Sequence, residues 1–253
     1  MSITIRTIPC LSDNYAYLIH NENTRETALI DAPEAVPIIS VLDSLGWRLD
    51  YILLTHHHFD HIGGVETLQQ KYGSKVIGNK NDRKRLPKLD IEVSEGGKLQ
   101  ICNQEMTILD VPGHTIGHLA FVFPGAAFTA DSLMALGCGR VFEGTFPMMW
   151  NSLQKIAALP SETMIYSGHE YTLANGSFAL TVETGNQELV ARVADEKAQR
   201  KKGLPTVPSK LDLELRTNPF LRAGLPEMKK IVGSTSMSDE ECFAEIRKRK
   251  DKF

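Results

Sequence analysis

The chain has 253 residues, with 28 Lys and Arg against 31 Asp and Glu, which gives a formal net charge of −3 at pH 7. This length allows one large domain or two modest ones, and a hydrophobic share of 42% excludes an intrinsically disordered chain. The lack of a basic excess argues against nucleic acid or an anionic membrane as the main partner.

The first two-thirds of the sequence predicts short strands with a few helices between them. Apolar residues at helical spacing followed by Gly46 predict a helix over about 34–45, and a second helix is predicted over Val65–Tyr72. The unbroken apolar run Tyr51–Leu54 predicts a strand that is buried on both faces. Pro147 fits the first turn of a further helix. The other predicted strands are Ile3–Ile8, Tyr15–His20, Thr27–Asp31, Met106–Val111, His118–Phe123, Ala126–Ala130 and Thr163–Tyr166.

Helices are predicted to replace strands after about residue 170. A helix is predicted to follow Gly185–Asn186, and Lys201–Leu215 is predicted to be a connection because it is rich in Lys, Pro and Gly. An S-x-x-E capping box at Ser238–Glu241 opens a last helix. We therefore predict an α/β domain over residues 1–170 and a small α-helical C-terminal domain over residues 171–253.

The termini and the cysteines predict a cytoplasmic protein. No apolar run approaches the ~18 residues of a membrane span. The stretch Met1–Arg6 has no basic region followed by a long apolar core, so no secretory signal is predicted. The four cysteines are far apart and predict reduced thiols rather than a disulfide framework or a thiolate metal site. They are Cys10, Cys102, Cys138 and Cys242.

A dense cluster of histidines follows the buried strand, in the H-x-H-x-D-H pattern of residues 56–61. In an extended chain the side chains of His56 and His58 point the same way, whereas Asp60 and His61 lie beyond the turn. Histidine and aspartate are poor core residues unless they are paired, so nothing structural needs this pattern. Imidazole nitrogens and carboxylate oxygens are ligands of Zn, Fe or Mn. The cluster therefore predicts a metal site.

Three further candidate ligands follow other predicted strands: His114, Asp131 and His169. Taken alone, either histidine would be interpreted as a surface or hydrogen-bonded residue, and the aspartate as a turn or cap residue. With the cluster they make five histidines and two aspartates, which is more than one tetrahedral metal can use. Two metals that share one bridging carboxylate would use all of them. The remaining histidines are interpreted as structural or supporting residues: His20, His57 and His118.

The H-x-H-x-D-H cluster, with the three later ligands, resembles the metallo-β-lactamase superfamily. This resemblance implies an α/β fold, an αβ/βα sandwich of two mixed sheets flanked by helices, with residues 1–170 as the metal-binding catalytic domain. Within the superfamily the chain is similar, nearly end to end, to the hydroxyacylglutathione hydrolases, whose helical C-terminal domain contributes to glutathione binding. The motifs that carry this resemblance are Thr55–Gly64, Pro112–His118, Gly137–Gly144, Gly168–Thr172, Asn218–Arg222 and Arg247–Asp251.

The resemblance also implies a set of site residues. It implies two divalent metal ions, with Zn favoured and Fe or Mn as alternatives. The implied ligands are His56, His58 and His114 for one ion and Asp60, His61 and His169 for the other, with Asp131 as the bridge. Asp60 and Asp131 are implied to be catalytic. The implied substrate contacts are Arg140, Phe142, Tyr171, Arg247 and Lys250.

Two implied substrate positions vary among relatives. Phe142 stands where Tyr is common, and a phenyl ring has no hydroxyl donor for the substrate. Arg140 stands where Lys is also common, and Arg can bind a carboxylate through two hydrogen bonds. Arg247 and Lys250 share a face of the last predicted helix, although without the resemblance the charge run around them would be interpreted as a solvated tail.

The resemblance implies hydrolysis of S-(2-hydroxyacyl)glutathione thioesters by a metal-bridging hydroxide, chiefly of S-D-lactoylglutathione to glutathione and D-lactate in methylglyoxal detoxification. No Ser or Cys nucleophile is required, and Cys138 has no convincing base partner in the sequence. The alternatives are a glutathione-persulfide dioxygenase or other hydrolase of the same fold, and a non-enzymatic metal-stabilised binding protein. We expect a monomer that acts on a small glutathione thioester, with no nucleic-acid or membrane partner.

Overall fold

A computed structural model describes residues 3–253. Met1 and Ser2, which begin the stretch in which no secretory signal is predicted, lie outside the described residues. The chain divides into two compact units. The first unit runs to Asp110 and includes Gly117–Pro124, and the second unit comprises Val111–Ile116 and Gly125–Phe253. The domain boundary at residue 170 stays a prediction.

The first unit contains a mixed sheet of six strands. The strands follow chain order across this sheet: β1 (Ile3–Cys10), β2 (Asn14–Asn21), β3 (Thr27–Ile30), β4 (Tyr51–Leu53), β5 (Lys75–Asn79) and β6 (Ile91–Val93). The first three strands are antiparallel, and the pairs from β3 to β6 are parallel. Parallel neighbours need crossover connections, and helices lie within two of these connections: α1 (Ala35–Leu45), α2 (Phe59–Ile62) and α3 (Val65–Tyr72).

Helices α1 and α3 bury their apolar faces in the core of the first unit. Ile38 of α1 and Leu68 of α3 are fully buried in the same cluster as Ile52 of β4. Both helices end at a glycine with a left-handed backbone, Gly46 with φ 64° and Gly73 with φ 70°. The two helices predicted from apolar spacing and these glycines are thus confirmed. Strand β4 is also confirmed, with Ile52 and Leu53 fully buried as its unbroken apolar run predicts. Both of its neighbours, β3 and β5, are parallel to it.

The first unit ends in an antiparallel meander. Its strands are β7 (Lys98–Ile101), β8 (Gln104–Asp110) and β9 (Leu119–Phe123). The last two confirm predicted strands. Strand β7 was not predicted because its four residues alternate Lys, Leu, Gln and Ile, a pattern too short to separate from a turn.

The strands of the second unit include a parallel pair and an antiparallel pair. Strand β10 (Ala126–Ala130) pairs in parallel with β13 (Met164–Ser167), which pairs antiparallel with β14 (Ser209–Lys210). A small hairpin consists of β11 (Leu133–Met134) and β12 (Gly137–Cys138). The predicted architecture of two mixed sheets with flanking helices is therefore confirmed.

Three helices of the second unit begin where the sequence predicted, and one of them has the predicted cap. The Asn186 side chain accepts a hydrogen bond from the Leu189 N–H group, and Ser238 and Glu241 form the predicted capping box. Pro147 lies in the first turn of its helix, whose N-cap is Thr145. The helices are α4 (Phe146–Ala157), α5 (Thr172–Val182), α6 (Gln187–Lys201), α7 (Leu211–Thr217), α8 (Pro226–Val232) and α9 (Asp239–Lys252).

The prediction of a plain connection over Lys201–Leu215, without strands after residue 170, is wrong in part. Ser209 and Lys210 form an edge strand whose existence depends on β13, a partner distant in sequence. Helix α7 follows at once, and its inward-facing positions include the fully buried Glu214. A carboxylate on the buried face conceals the apolar spacing from which a helix would be predicted.

Among residues 3–253, no helix combines the length and the apolar character needed to cross a membrane.

Candidate metal centre

The histidine cluster directly follows Thr55, which Asp31 holds in place in the first unit. Asp31 follows β3, and its carboxylate accepts hydrogen bonds from the backbone N–H and the hydroxyl of Thr55, both at 2.8 Å. Asp31 has a left-handed backbone with φ 55°, and its own N–H donates to the Leu53 carbonyl. These bonds tie the end of β4 to the end of β3 and fix where the cluster leaves the sheet.

His56 and His58 converge on one point, as their alternation along the chain predicts. Nε2 of His56 lies 3.1 Å from Nδ1 of His58. His57 points elsewhere, with its Nδ1 3.3 Å from the buried carboxylate of Asp82. His118 stacks on His56, with ring centroids 4.6 Å apart and planes 17° from parallel, which supports the ring of His56. The supporting roles predicted for His57 and His118 agree with these contacts.

Asp60 and His61 lie on the short helix α2. Nδ1 of His61 is 2.8 Å from the Asp31 carboxylate, while its Nε2 lies 3.8 Å from Oδ2 of Asp60. A carboxylate on Nδ1 fixes the tautomer of a ligating histidine and presents Nε2 to a metal. Asn14 donates to the same Asp60 oxygen at 3.0 Å. Ligand atoms of Asp31, His56 and His61 come within 4.8 Å of one another.

Two predicted histidine ligands of the second unit converge on one carboxylate oxygen, which belongs to the third predicted ligand, Asp131. Oδ2 of Asp131 lies 3.4 Å from Nε2 of His114 and 3.3 Å from Nε2 of His169. Each of the three residues is only 5% exposed. One oxygen that faces two imidazoles has the arrangement expected of a bridging ligand.

Special backbone conformations place these three side chains. His114 follows Gly113, whose φ of 151° suits glycine and whose added Cβ would lie 2.8 Å from Met149. Asp131 follows Ala130, which has a left-handed backbone with φ 40°. The N–H group of Gly168, the residue before His169, donates to the Ala130 carbonyl at 3.0 Å. The ends of β10 and β13 are therefore held together where their ligands emerge.

The side chains of both units fit divalent metal ions. The donors are imidazole nitrogens and carboxylate oxygens, which suit Zn, Fe or Mn. Within each unit, neighbouring donor atoms lie 3.1–3.8 Å apart. Two ligands at about 2.0–2.1 Å from a tetrahedral zinc would be about 3.3–3.4 Å from each other. The spacing thus matches ligands that share an ion.

The predicted substrate residues Arg140, Phe142 and Tyr171 lie beside the ligands of the second unit. The Phe142 ring lies 5.2 Å from the His114 ring and 5.9 Å from the Arg140 guanidinium. Tyr171 stacks on His169 with ring centroids 4.6 Å apart. A substrate held by these three residues would be adjacent to the metal ligands.

Arg247 is more buried, and makes more hydrogen bonds within the protein, than expected of a surface residue that binds substrate. It is 5% exposed, donates to the Cys138 carbonyl at 2.9 Å and lies over the Phe220 ring. It also donates to Oδ1 of Asp251, which accepts a third bond from Arg140. Asp251, which the sequence did not single out, thus joins two of the predicted anion-binding residues.

Lys250 is directed towards helix α5. Its Nζ lies 3.2 Å from the Ala174 carbonyl and about 5 Å from two aromatic rings, those of Phe178 and Phe253. Burial lowers the pKa of Lys250, and the neighbouring Arg247 lowers it further. Its charged form is therefore less favoured than that of an ordinary lysine.

Cys138 lacks the properties of a nucleophile. Its thiol is buried, and burial raises its pKa to about 11 despite the opposing effect of Arg247. The thiol is therefore protonated at neutral pH, whereas a reactive cysteine needs a thiolate. This agrees with the prediction that no cysteine takes part in the chemistry.

Two family models match this sequence. Residues 12–169 match the metallo-beta-lactamase superfamily, and residues 170–253 match the hydroxyacylglutathione hydrolase C-terminus. Two relatives named hydroxyacylglutathione hydrolase, from Cereibacter sphaeroides and Ruegeria pomeroyi, are each 54% identical over 255 residues, covering 100% of both chains. The crystal structure of ETHE1 from Myxococcus xanthus has a TM-score of 0.67 at 24% identity, covering 96% of this chain and 95% of that one, and it supports the fold alone.

Proposed function

The chain belongs to the hydroxyacylglutathione hydrolases of the metallo-beta-lactamase superfamily, and we propose that it hydrolyses S-(2-hydroxyacyl)glutathione thioesters, chiefly S-D-lactoylglutathione to glutathione and D-lactate. The observation that carries the chemistry is the position of Oδ2 of Asp131 between the Nε2 atoms of His114 and His169. This reaction removes the thioester formed from methylglyoxal and glutathione.

We propose two metal ions per chain, with zinc as the favoured metal and iron or manganese as alternatives. The donor set of nitrogen and oxygen atoms supports this assignment. When bound, the two ions would lower the pKa of a water molecule to about 7 and polarise the thioester carbonyl. The proposed ligands are His56, His58 and His114 for one ion, Asp60, His61 and His169 for the other, and Asp131 for both.

The protein groups position the reactants. The carboxylate of Asp60 orients the attacking water, whose oxygen forms the new bond to the thioester carbon. The attack gives a tetrahedral oxyanion; as its carbonyl re-forms, the carbon–sulfur bond breaks, and the glutathione sulfur leaves with the electron pair and takes up the proton that the attacking water has lost. Arg140, whose guanidinium is half exposed, binds a glutathione carboxylate, while the rings of Phe142 and Tyr171 flank the thioester. These contacts lower the activation barrier chiefly by holding the thioester in the reactive orientation.

Arg247 and Lys250 complete the proposed glutathione site from helix α9. Arg247 donates to the Asp251 carboxylate that also accepts from Arg140, and Lys250 lies on the same helix with its ammonium group directed towards α5. In this arrangement residues 171–253 contribute Tyr171, Arg247 and Lys250 to substrate binding, and residues 1–170 supply the metal ligands together with Arg140 and Phe142. The domain division at residue 170 is part of this proposal.

We further propose a monomer in the cytoplasm, with no nucleic-acid or membrane partner. The slightly acidic net charge of −3 supports the lack of a polyanionic partner. The four cysteines are buried free thiols, which suits a reducing compartment.

The decisive experiment measures loss of S-D-lactoylglutathione thioester by the purified protein, with metal analysis of the same sample. We expect hydrolysis, two metals per chain, and loss of activity on chelation that is restored by added zinc. A matched thioester whose thiol lacks the carboxylates of glutathione should react poorly. Oxygen uptake with glutathione persulfide and a single iron per chain would instead identify the dioxygenase. A metal-replete chain that cleaves neither substrate would contradict the proposal.

A further inference from the structure

A small buried hairpin joins a proposed metal ligand to a proposed substrate contact. This hairpin, Leu133–Cys138, follows Asp131 and precedes Arg140. Its turn residue Leu136 has a left-handed backbone with φ 55°, which is rare for a leucine. The hairpin side chains are at most 4% exposed. Because backbone polar groups this far from water need partners, the hairpin depends on hydrogen bonds from its surroundings.

Two side chains of the helical region supply three of these partners. Nδ2 of Asn218 donates to the carbonyls of Met134 and Gly137, at 3.1 and 2.9 Å. Oε2 of Glu214 accepts the N–H of Leu136 at 3.0 Å and also the Asn218 amide at 3.1 Å. Glu214 and Asn218 are themselves fully buried, so their positions are as fixed as those of the core.

Asn175 also holds the hairpin, and we call Asn175, Glu214 and Asn218 together the clamp. Nδ2 of Asn175, on helix α5, donates to the Ala135 carbonyl at 3.1 Å. Behind the carboxylate, Arg192 donates to Oε1 of Glu214 and to the hydroxyl of Thr217. The two oxygens of Glu214 therefore have different partners, a guanidinium on one side and hairpin and amide N–H groups on the other.

The two residues that follow the hairpin lie against the ligands of the second unit. A Cβ on Gly139 would lie 1.9 Å from the Asp131 backbone oxygen and 3.2 Å from Nδ1 of His114, so the chain passes directly against both ligands. The next carbonyl, that of Arg140, lies 2.8 Å from Nδ1 of His114. A shift of the hairpin would therefore move Asp131 and the group that orients His114 together.

We infer that Glu214 and Asn218 are positioning residues, which set the geometry of the metal ligands Asp131 and His114 by holding the hairpin from behind. This inference rests on the proposed metal site. Outer contacts of this kind typically change metal affinity by about 10–100-fold when they are lost. Their hydrogen bonds go to the hairpin, to each other and to the helical region, so the effect passes through the backbone of residues 132–140.

The substitution Glu214→Gln keeps the size of the side chain and changes only its hydrogen-bonding groups, so it tests the positioning role without leaving a cavity. A Gln amide offers one acceptor where Glu214 uses two, so either Arg192 or the N–H of Leu136 meets an NH2 group. We expect zinc affinity, measured by competition with a chelator, to fall at least about tenfold. In the metal-free protein, we expect the amides of Leu136 and Gly139 to exchange hydrogen at least about tenfold faster than in the wild type.

The matched control is Glu183→Gln in the same helical region. Glu183 is a buried carboxylate that accepts bonds from both nitrogens of the Arg222 fork. Among the described residues, its side-chain hydrogen bonds go to Arg222 and Asn186 and not to the hairpin. This variant should lose stability to urea as Glu214→Gln does, yet keep wild-type zinc affinity and wild-type exchange at the hairpin. Equal loss of zinc affinity in both variants would overturn the inference.

Unchanged zinc affinity in a folded Glu214→Gln protein would also overturn it. If that variant does not fold, Asn218→Asp takes its place, because it puts a carboxylate in place of the amide that donates to Met134 and Gly137, and it is judged by the same two measurements. Failure of the wild type to bind zinc or cleave the thioester would refute the proposed function. The exchange rates of the metal-free variants would still decide whether the clamp holds the hairpin.

Discussion

Nδ1 of His114 lies 2.8 Å from the backbone carbonyl oxygen of Arg140, so one hydrogen bond joins a proposed metal ligand to a proposed substrate contact. Because the carbonyl can only accept, Nδ1 carries the proton and Nε2 presents its lone pair towards Asp131. The bond involves the backbone and not the guanidinium. Changes to the Arg140 side chain should therefore affect substrate binding without disturbing the metal ligand.

Arg140→Ala is expected to raise KM for S-D-lactoylglutathione about tenfold, or about 1.4 kcal/mol, and to leave kcat within about twofold. The reason is loss of one charged hydrogen bond that orients the substrate but takes no part in the reaction. Steady-state kinetics and metal content of the variant test this. Lys197→Ala, which removes an exposed cation from α6, serves as the control. A metal-depleted Arg140→Ala protein would contradict the independence of side chain and ligand.

Asp131→Ala is expected to abolish turnover and metal content together. The substitution removes the oxygen that faces both His114 and His169, so the loss of metal affinity should exceed the about 10–100-fold typical of an outer contact. Metal analysis and thioester hydrolysis on one sample test this, with the exposed Asp195→Ala as the matched control. A fully active, metal-replete Asp131→Ala protein would refute the ligand assignment.

Phe142→Tyr is expected to lower KM about fivefold with kcat within about twofold, because one added hydrogen bond contributes about 1 kcal/mol. The ring is 60% exposed beside His114 and Arg140, so a hydroxyl can be added without repacking the core. Substrate titrations of the variant and the wild type provide the test. An unchanged KM would mean that the phenyl ring contacts the substrate only through its face, or not at all.

Thiol reagents at pH 7.5 are expected to leave the native enzyme fully active. All four cysteines are buried, and burial raises the pKa to about 12 for Cys10 and Cys102 and to about 11 for Cys138 and Cys242. A raised thiol pKa means that the protonated, unreactive form dominates at this pH. A colorimetric thiol count should find almost no reactive groups in the native protein and all four after denaturation. Rapid inactivation by iodoacetamide would count against this.

Lys250→Met is expected to increase the free energy of unfolding at neutral pH while it raises KM. Burial lowers the pKa of Lys250 in the folded state, so below that lowered pKa folding must bury a charge that the unfolded chain keeps in water. The penalty disappears as the pH rises past the lowered pKa towards the ordinary value of 10.5. Urea unfolding of both proteins at several pH values should show a difference that narrows with rising pH. A difference that widens would contradict the sign.

The sequence predicted best what depends on neighbours along the chain. The pattern of residues 56–61 places His56 and His58 on one side of an extended segment, and the structure has them 3.1 Å apart. The capping box at Ser238 depends only on the next three residues and was predicted correctly, as was the start of a helix directly after Asn186. Local hydrogen bonds and side-chain alternation are properties that a short segment carries with it.

The supporting residues could not be predicted because their partners are remote in sequence. Asp31 holds a histidine 30 positions away, and Asn218 holds carbonyls more than 80 positions away. In the sequence Asp31 is only the end of a strand, and Glu214 is only one acidic residue in a region taken for a connection. Their roles depend on contacts that only the folded chain brings together, and no pattern of residues along the sequence indicates them.

The clamp on the hairpin also bears on how such chains can be recombined. In a chimaera that joins two relatives at residue 170, one parent would supply all of the proposed metal ligands and the hairpin. The other parent would supply the side chains of residues 171–253 that hydrogen-bond to the hairpin backbone. Chimaeras between relatives are therefore expected to work only when Asn175, Glu214, Asn218 and Arg247 match the hairpin they receive. We therefore expect residues 1–170 and residues 171–253 to be exchanged between relatives together and not separately.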